Sequence, residues 1–100
     1  MSAPTADHVP GVGSVTVRYW ASARAAAGVD ADVLRVEEGT TLADVLAAVR
    51  ALHADRPRLS DVVAVCSVMV GDRPVGSAAP SDVLLRPGDT VELLPPFAGG

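Results

Sequence analysis

Lysine, isoleucine, asparagine and glutamine are absent from this sequence, so all eight basic residues are arginine. The pattern fits a GC-rich genome, because Lys, Ile and Asn codons are AT-rich. Cysteine occurs once, at Cys66, which excludes an intramolecular disulfide framework and a cysteine-based zinc cluster. Aromatic residues number three, Tyr19, Trp20 and Phe97. The 49% hydrophobic content rests mainly on alanine and valine, seventeen of each. No apolar run approaches the ~20 residues of a membrane span. The N-terminus lacks the basic start and apolar block of a signal peptide, so a reducing cytoplasm is the expected setting. Twelve acidic against eight basic residues give a net charge of −4, which argues against a phosphate-binding surface and hence against nucleic acid. One hundred residues leave room for one core.

Residues 1–13 are small and polar, broken by Pro4, Pro10, Gly11 and Gly13, and read as a disordered N-terminal extension. From Ser14 the chain alternates. Val15, Val17 and Tyr19 face one way, and Thr16, Arg18 and Trp20 the other, the period-2 mark of a half-buried strand. Ala21 to Gly28 is a short helical or turn segment closed by glycine. A second strand follows, with Leu34 and Val36 on one face and Val33, Arg35 and Glu37 on the other, and it forms a hairpin with the first. After the turn Glu38-Gly39-Thr40 comes a helix capped by Thr41, with Asp44 completing a capping box. Leu42, Val45, Leu46, Val49 and Leu52 make its apolar stripe. His53 reads as a surface or C-terminal helper residue of that helix.

Val62 to Val70 is almost continuously apolar and β-branched, which predicts an interior strand with Cys66 as a small core residue. Gly71-Asp72 turns the chain into a short edge strand at Arg73-Pro74-Val75. Pro87-Gly88 suits a type II turn. The last strand runs from Thr90 to Leu94, with Val91 and Leu93 inward and Glu92 and Leu94 outward. One amphipathic helix needs one sheet face to cover it. The expected fold is therefore α+β, a β-grasp with a mixed sheet of four to five strands on one main helix, spanning residues 14–94.

Within this frame the sequence offers no Gly-rich phosphate loop, no nucleophile–base set in a recognisable spacing and no metal-ligand cluster. The segment with chemical potential is 95–100, a flexible tail. Pro95-Pro96 stiffens its base in an extended form, and Gly99-Gly100 has no side chains to obstruct a narrow channel. Once activated, a C-terminal carboxylate at Gly100 can accept sulfur or an amine. With no lysine in the sequence, no side-chain amine of the chain itself can capture it. Alternation also sends Trp20 and Leu94 to the face away from the helix. If the first and last strands are neighbours, these two form an exposed apolar patch at the base of the tail, with Arg24 nearby.

The segment Val15-Thr-Val-Arg-Tyr-Trp-Ala21, with Arg24 and Gly28, the turn Pro87-Gly88-Asp89-Thr-Val91, and the end Leu93-Leu-Pro-Pro-Phe-Ala-Gly-Gly100 resemble the MoaD/ThiS family of ubiquitin-like sulfur carriers. The likeness spans residues 14–100 and is nearest to the family's molybdopterin synthase small subunits. It implies that an E1-like adenylating enzyme, using ATP and magnesium, activates Gly100, and that a sulfur donor then converts it to a thiocarboxylate. It also implies a hetero-oligomer in which a MoaE-like large subunit of molybdopterin synthase receives Pro95, Pro96, Phe97, Ala98 and Gly99. There the sulfur would pass to a cyclic pyranopterin precursor. By this resemblance the chain itself binds no cofactor or metal, and it donates sulfur without catalysing alone. Two other readings stay open at this point. One is a carrier for thiamin or cysteine synthesis, and the other is a protein modifier or interaction domain.

Overall fold

The computed structural model describes residues 13–96. The expected extension through residue 12 and the tail residues Phe97, Ala98, Gly99 and Gly100 lie outside the described residues. The elements are β1 (Gly13–Tyr19), α1 (Ala21–Ala27), β2 (Ala31–Val36), α2 (Leu42–Leu52), α3 (Pro57–Val65), β3 (Ser67–Val70), β4 (Arg73–Pro74), a 3-10 turn (Pro80–Asp82) and β5 (Thr90–Leu94). The strands form one mixed sheet in the order β2-β1-β5-β3-β4. β1 and β5 run parallel at its centre, and the other neighbours are antiparallel.

Alternation holds along β1, where Val15, Val17 and Tyr19 are buried. They share the core with Val91 and Leu93 of β5. β1 begins at Gly13, one residue before the alternation suggests. Its partner is Val36, and a Cβ on Gly13 would lie 2.7 Å from that of Pro87, so only glycine allows this approach. The Pro87-Gly88 turn forms as read. Gly88 has φ 93°, and the Asp89 N–H donates to the Arg86 carbonyl at 3.0 Å.

The capping box on α2 is complete. Asp44 N–H donates to Thr41 Oγ1 at 3.2 Å, and Thr41 N–H donates to Asp44 Oδ2 at 2.9 Å. Leu42, Val45, Leu46 and Val49 are buried as the stripe requires, but Leu52 is 53% exposed. At ~100° per residue Leu52 falls about 70° from the centre of that stripe, at its edge, where burial ends.

The strand expected from Val62 to Val70 is corrected. Residues Pro57–Val65 form α3, and only Ser67–Val70 is strand. Pro57 sits in the first turn, where its missing N–H costs nothing. Leu59 and Val63, four residues apart, are buried on one side, while Val65 is 60% exposed and could not belong to a strand buried on both faces. The β-branched composition suggested a strand, but packing of one helical face on the core outweighs that weak preference. Arg50 Nε donates to Ser60 Oγ at 3.0 Å and ties α3 to α2. The β-grasp architecture therefore holds, with α1 and α3 added beside the main helix α2.

Candidate functional site

The end of β5 carries the chain towards its Gly-Gly terminus. Leu94 is half-buried, Pro95 is buried and Pro96, the last of the described residues, is exposed. The parallel ladder pairs Arg18 with Glu92 and Tyr19 with Leu93. Its last bond runs from the Trp20 N–H to the Leu93 carbonyl at 3.2 Å. Continued by one residue, this register sets Trp20 beside Leu94, at the root of the tail.

Trp20 is 41% exposed on the face that no helix covers. Its Nε1–H donates to Glu92 Oε1 at 3.1 Å, and the Arg18 guanidinium carbon stands 5.2 Å from the ring centroid. The indole is thus held by a hydrogen bond on one side and a cation–π contact on the other. It presents a fixed apolar surface, a geometry suited to an interface anchor. Met69 lies opposite Glu92, and Ser67 opposite Leu94, on the same sheet face.

Alternation puts Trp20 and Leu94 on this face, and Arg24 stands nearby as the sequence suggests, its backbone N–H approaching the Trp20 carbonyl at 3.4 Å. The Arg24 guanidinium extends towards Asp30, at 3.8 Å between two well-exposed side chains, and the cation over the indole is Arg18. Alternation gives Glu92 only as outward-facing. Its partner lies 72 residues away in sequence, and only the parallel β1–β5 register reveals the pair.

The chain turns sharply after Trp20. Ala21 has φ 49°, a left-handed conformation that costs a non-glycine residue ~1 kcal/mol. Gly28, at φ 80°, closes α1 by donating to the Arg24 carbonyl at 2.8 Å. This fulfils its expected role.

Behind the Trp20 face lies a polar network that the sequence reading did not identify. Tyr19 Oη donates to Asp32 Oδ2 at 2.7 Å, and His53 Nε2 meets the same oxygen at 2.6 Å. The two rings cross edge-on with centroids 5.9 Å apart. Burial, then the hydrogen bond and the negative charge of Asp32, hold the Tyr19 phenol far above its ordinary pKa. His53 does cap α2, but its side chain is only 12% exposed, so it is a bracing group beneath the surface. Cys66 is half-buried, and burial pushes its thiol up to about 11, in keeping with a packing role.

The family model described as the ThiS family matches residues 17–100. A curated relative, the molybdopterin synthase sulfur carrier subunit of Chlamydomonas reinhardtii, is 32% identical over 87 residues, covering 86% of this chain and 98% of its own. Among solved structures, a Pyrococcus furiosus protein described as molybdopterin converting factor, subunit 1, superposes with a TM-score of 0.67 at 25% identity, covering 85% of this chain and 99% of its own. The small archaeal modifier protein 1 of Haloferax volcanii gives a TM-score of 0.67 at 26% identity, covering 88% and 100%. With the β-grasp sheet, the Trp20 face and the Pro-Pro exit in place, the chain belongs to the ThiS family, the MoaD/ThiS ubiquitin-like sulfur carriers that its two end segments resemble.

Proposed function

We propose that this chain is the sulfur carrier subunit of a molybdopterin synthase, with the Gly100 carboxylate as its working group. The observation that carries the reading is the course of β5. The strand runs beside the braced Trp20 and delivers Pro95-Pro96 from the sheet, so that the sequence Phe97-Ala98-Gly99-Gly100 continues from one edge of a ready-made apolar face. The likeness to the algal sulfur carrier subunit supports the pathway.

In the proposed cycle an E1-like enzyme presents ATP and magnesium. A Gly100 carboxylate oxygen bonds to the α-phosphorus, and pyrophosphate leaves. A sulfide equivalent from a sulfur donor then bonds to the carbonyl carbon, and AMP departs with the electron pair of the broken C–O bond. The thiocarboxylate tail enters the large subunit, where its sulfur passes to the cyclic pyranopterin precursor. Trp20 and Leu94 bind the partner face while the glycines thread the channel. The net charge of −4 favours a basic partner surface. All of this is set in the cytoplasm.

The test is reconstitution with the activating enzyme, ATP-magnesium, a sulfur donor, the large subunit and the precursor. Intact mass should show one oxygen exchanged for sulfur at Gly100, and molybdopterin should form. Deleting Gly99 and Gly100 should abolish transfer and leave the fold intact, and transfer by the truncated chain would refute the mechanism. The likeness to the Haloferax modifier favours a second reading, conjugation to other proteins. Mass-shifted lysine adducts on those proteins, without the sulfur exchange, would establish it instead.

A further inference from the structure

If Gly100 is activated as an acyl group, that group must survive long enough to meet its intended acceptor. What threatens it first is the chain's own nucleophiles, held at high local concentration by covalent connection. Lysine is the usual culprit, because its neutral amine bonds to the carbonyl carbon, the C–O bond to AMP breaks, AMP takes the electron pair, and the amine loses a proton to water. None of the 100 residues is lysine. The eight arginines stay protonated and have no lone pair to offer.

The remaining nucleophiles among the described residues are restrained by the fold. Cys66 is half-buried with its thiol pushed up to about 11. At neutral pH that leaves far less thiolate than an unperturbed cysteine has. Tyr19 is 3% exposed and its hydroxyl is committed to Asp32. His53 is held by the same carboxylate, and an acyl-imidazole would in any case be lost to water. Serine and threonine hydroxyls are not ionised at neutral pH.

We infer that this chain is an acyl carrier without side-chain acceptors of its own: its activated terminus meets no lysine in the sequence and no accessible thiolate, phenol or imidazole among the described residues, so stable transfer goes to sulfur, to an amine of another protein or to an N-terminal amine. The inference rests on activation of Gly100 and adds a consequence for both readings above. As a sulfur carrier, the chain does not cross-link to lysine side chains of its copies while waiting for the sulfur donor. As a modifier, it builds no chains through side-chain amines, because an attached copy offers no lysine to the next.

The experiment uses the full chain prepared as a C-terminal 2-mercaptoethanesulfonate thioester by intein cleavage, so it does not depend on any activating enzyme. The wild-type thioester is held alone at about pH 7.5 and followed by intact mass and peptide mapping. Hydrolysis without adduct on any side chain is the expected result. Arg18→Lys, beside the root of the tail, and Arg73→Lys, on the exposed edge strand, should each gain species shifted by the mass of one further acyl chain, or cyclic species lighter than the acid by one water. Wild-type adducts mapped to Cys66, Tyr19 or an arginine would overturn the inference. So would the absence of adducts from both lysine variants, because the missing lysine would then not be what protects the tail. Failure of the sulfur-carrier reading shows separately, as no oxygen-for-sulfur exchange with the activating enzyme.

Discussion

Replacing Tyr19 by phenylalanine removes one oxygen from the network behind the Trp20 face and almost nothing else. Asp32 Oδ2 then keeps His53 as its partner but loses the 2.7 Å bond from the phenol. A buried hydrogen bond to a charged acceptor is worth ~1.5–3 kcal/mol. The Asp32 side chain retains 18% exposure and can recruit water, so the low end, about 1.5 kcal/mol at pH 7, is expected. The dependence on pH is the sharper signature. The unfolded phenol ionises near 10, and burial and Asp32 raise its folded value well above that. Between those limits the native state holds a proton that the unfolded chain has released. The stabilisation is therefore complete below pH 10 and is lost as pH rises further, at ~1.4 kcal/mol per unit. By pH 11 the wild type should have forfeited about 1.4 kcal/mol that the phenylalanine variant never had, and the two should be nearly equally stable. Urea unfolding of both proteins from pH 7 to 11, read by the fluorescence of Trp20, measures the difference, and groups common to both cancel. A gap that stays constant from pH 9 to 11 would refute the reasoning, as would a variant no less stable than wild type at pH 7.

Three further substitutions probe the site and its supports. Trp20→Ala removes the ~100 Å² of indole still open to a partner and should weaken binding of the large subunit by about 2 kcal/mol, roughly thirty-fold in Kd by calorimetry. Its urea midpoint should move far less than for a core truncation, and strong unfolding with unchanged affinity would make Trp20 a packing residue. Ala21→Gly relieves the left-handed strain at φ 49° and should raise stability by up to ~1 kcal/mol, seen as a higher thermal midpoint. Gly28→Ala meets both a positive φ and the Arg56 guanidinium, whose carbon would lie 2.6 Å from the new Cβ. It should lose about 1–2 kcal/mol, and Arg56→Ala in the same chain should restore only the steric part.

Local signals in the sequence found most of the fold. The alternation of Val15, Val17 and Tyr19, the Thr41–Asp44 box and the Pro87-Gly88 turn each concern residues within a few positions of one another, and each is present in the structure. The errors arose where a local signal was ambiguous. Val62-Val63 are β-branched yet sit in a helix, because Leu59 and Val63 share a face that the core can bury. The helical spacing was there to be read, masked by composition. Leu52 matches the stripe by counting, but it lies at the stripe's edge, and counting alone does not tell how wide a face the core covers.

The candidate site divides in the same way. The sequence by itself determined which residues stand at the terminus, the glycines and the Pro-Pro pair, as well as the absence of lysine and which side of their strands Trp20 and Leu94 take. These are matters of residue identity and of a period-2 backbone. The tertiary structure alone decided which groups meet. Arg18 and Glu92 brace the indole, and Tyr19, Asp32 and His53 share one oxygen. Glu92 reaches Trp20 across 72 positions, and His53 reaches Asp32 across 21. Such pairs depend on strand register and on where α2 stops over the sheet, which the packing of the whole core sets and no short stretch of sequence encodes.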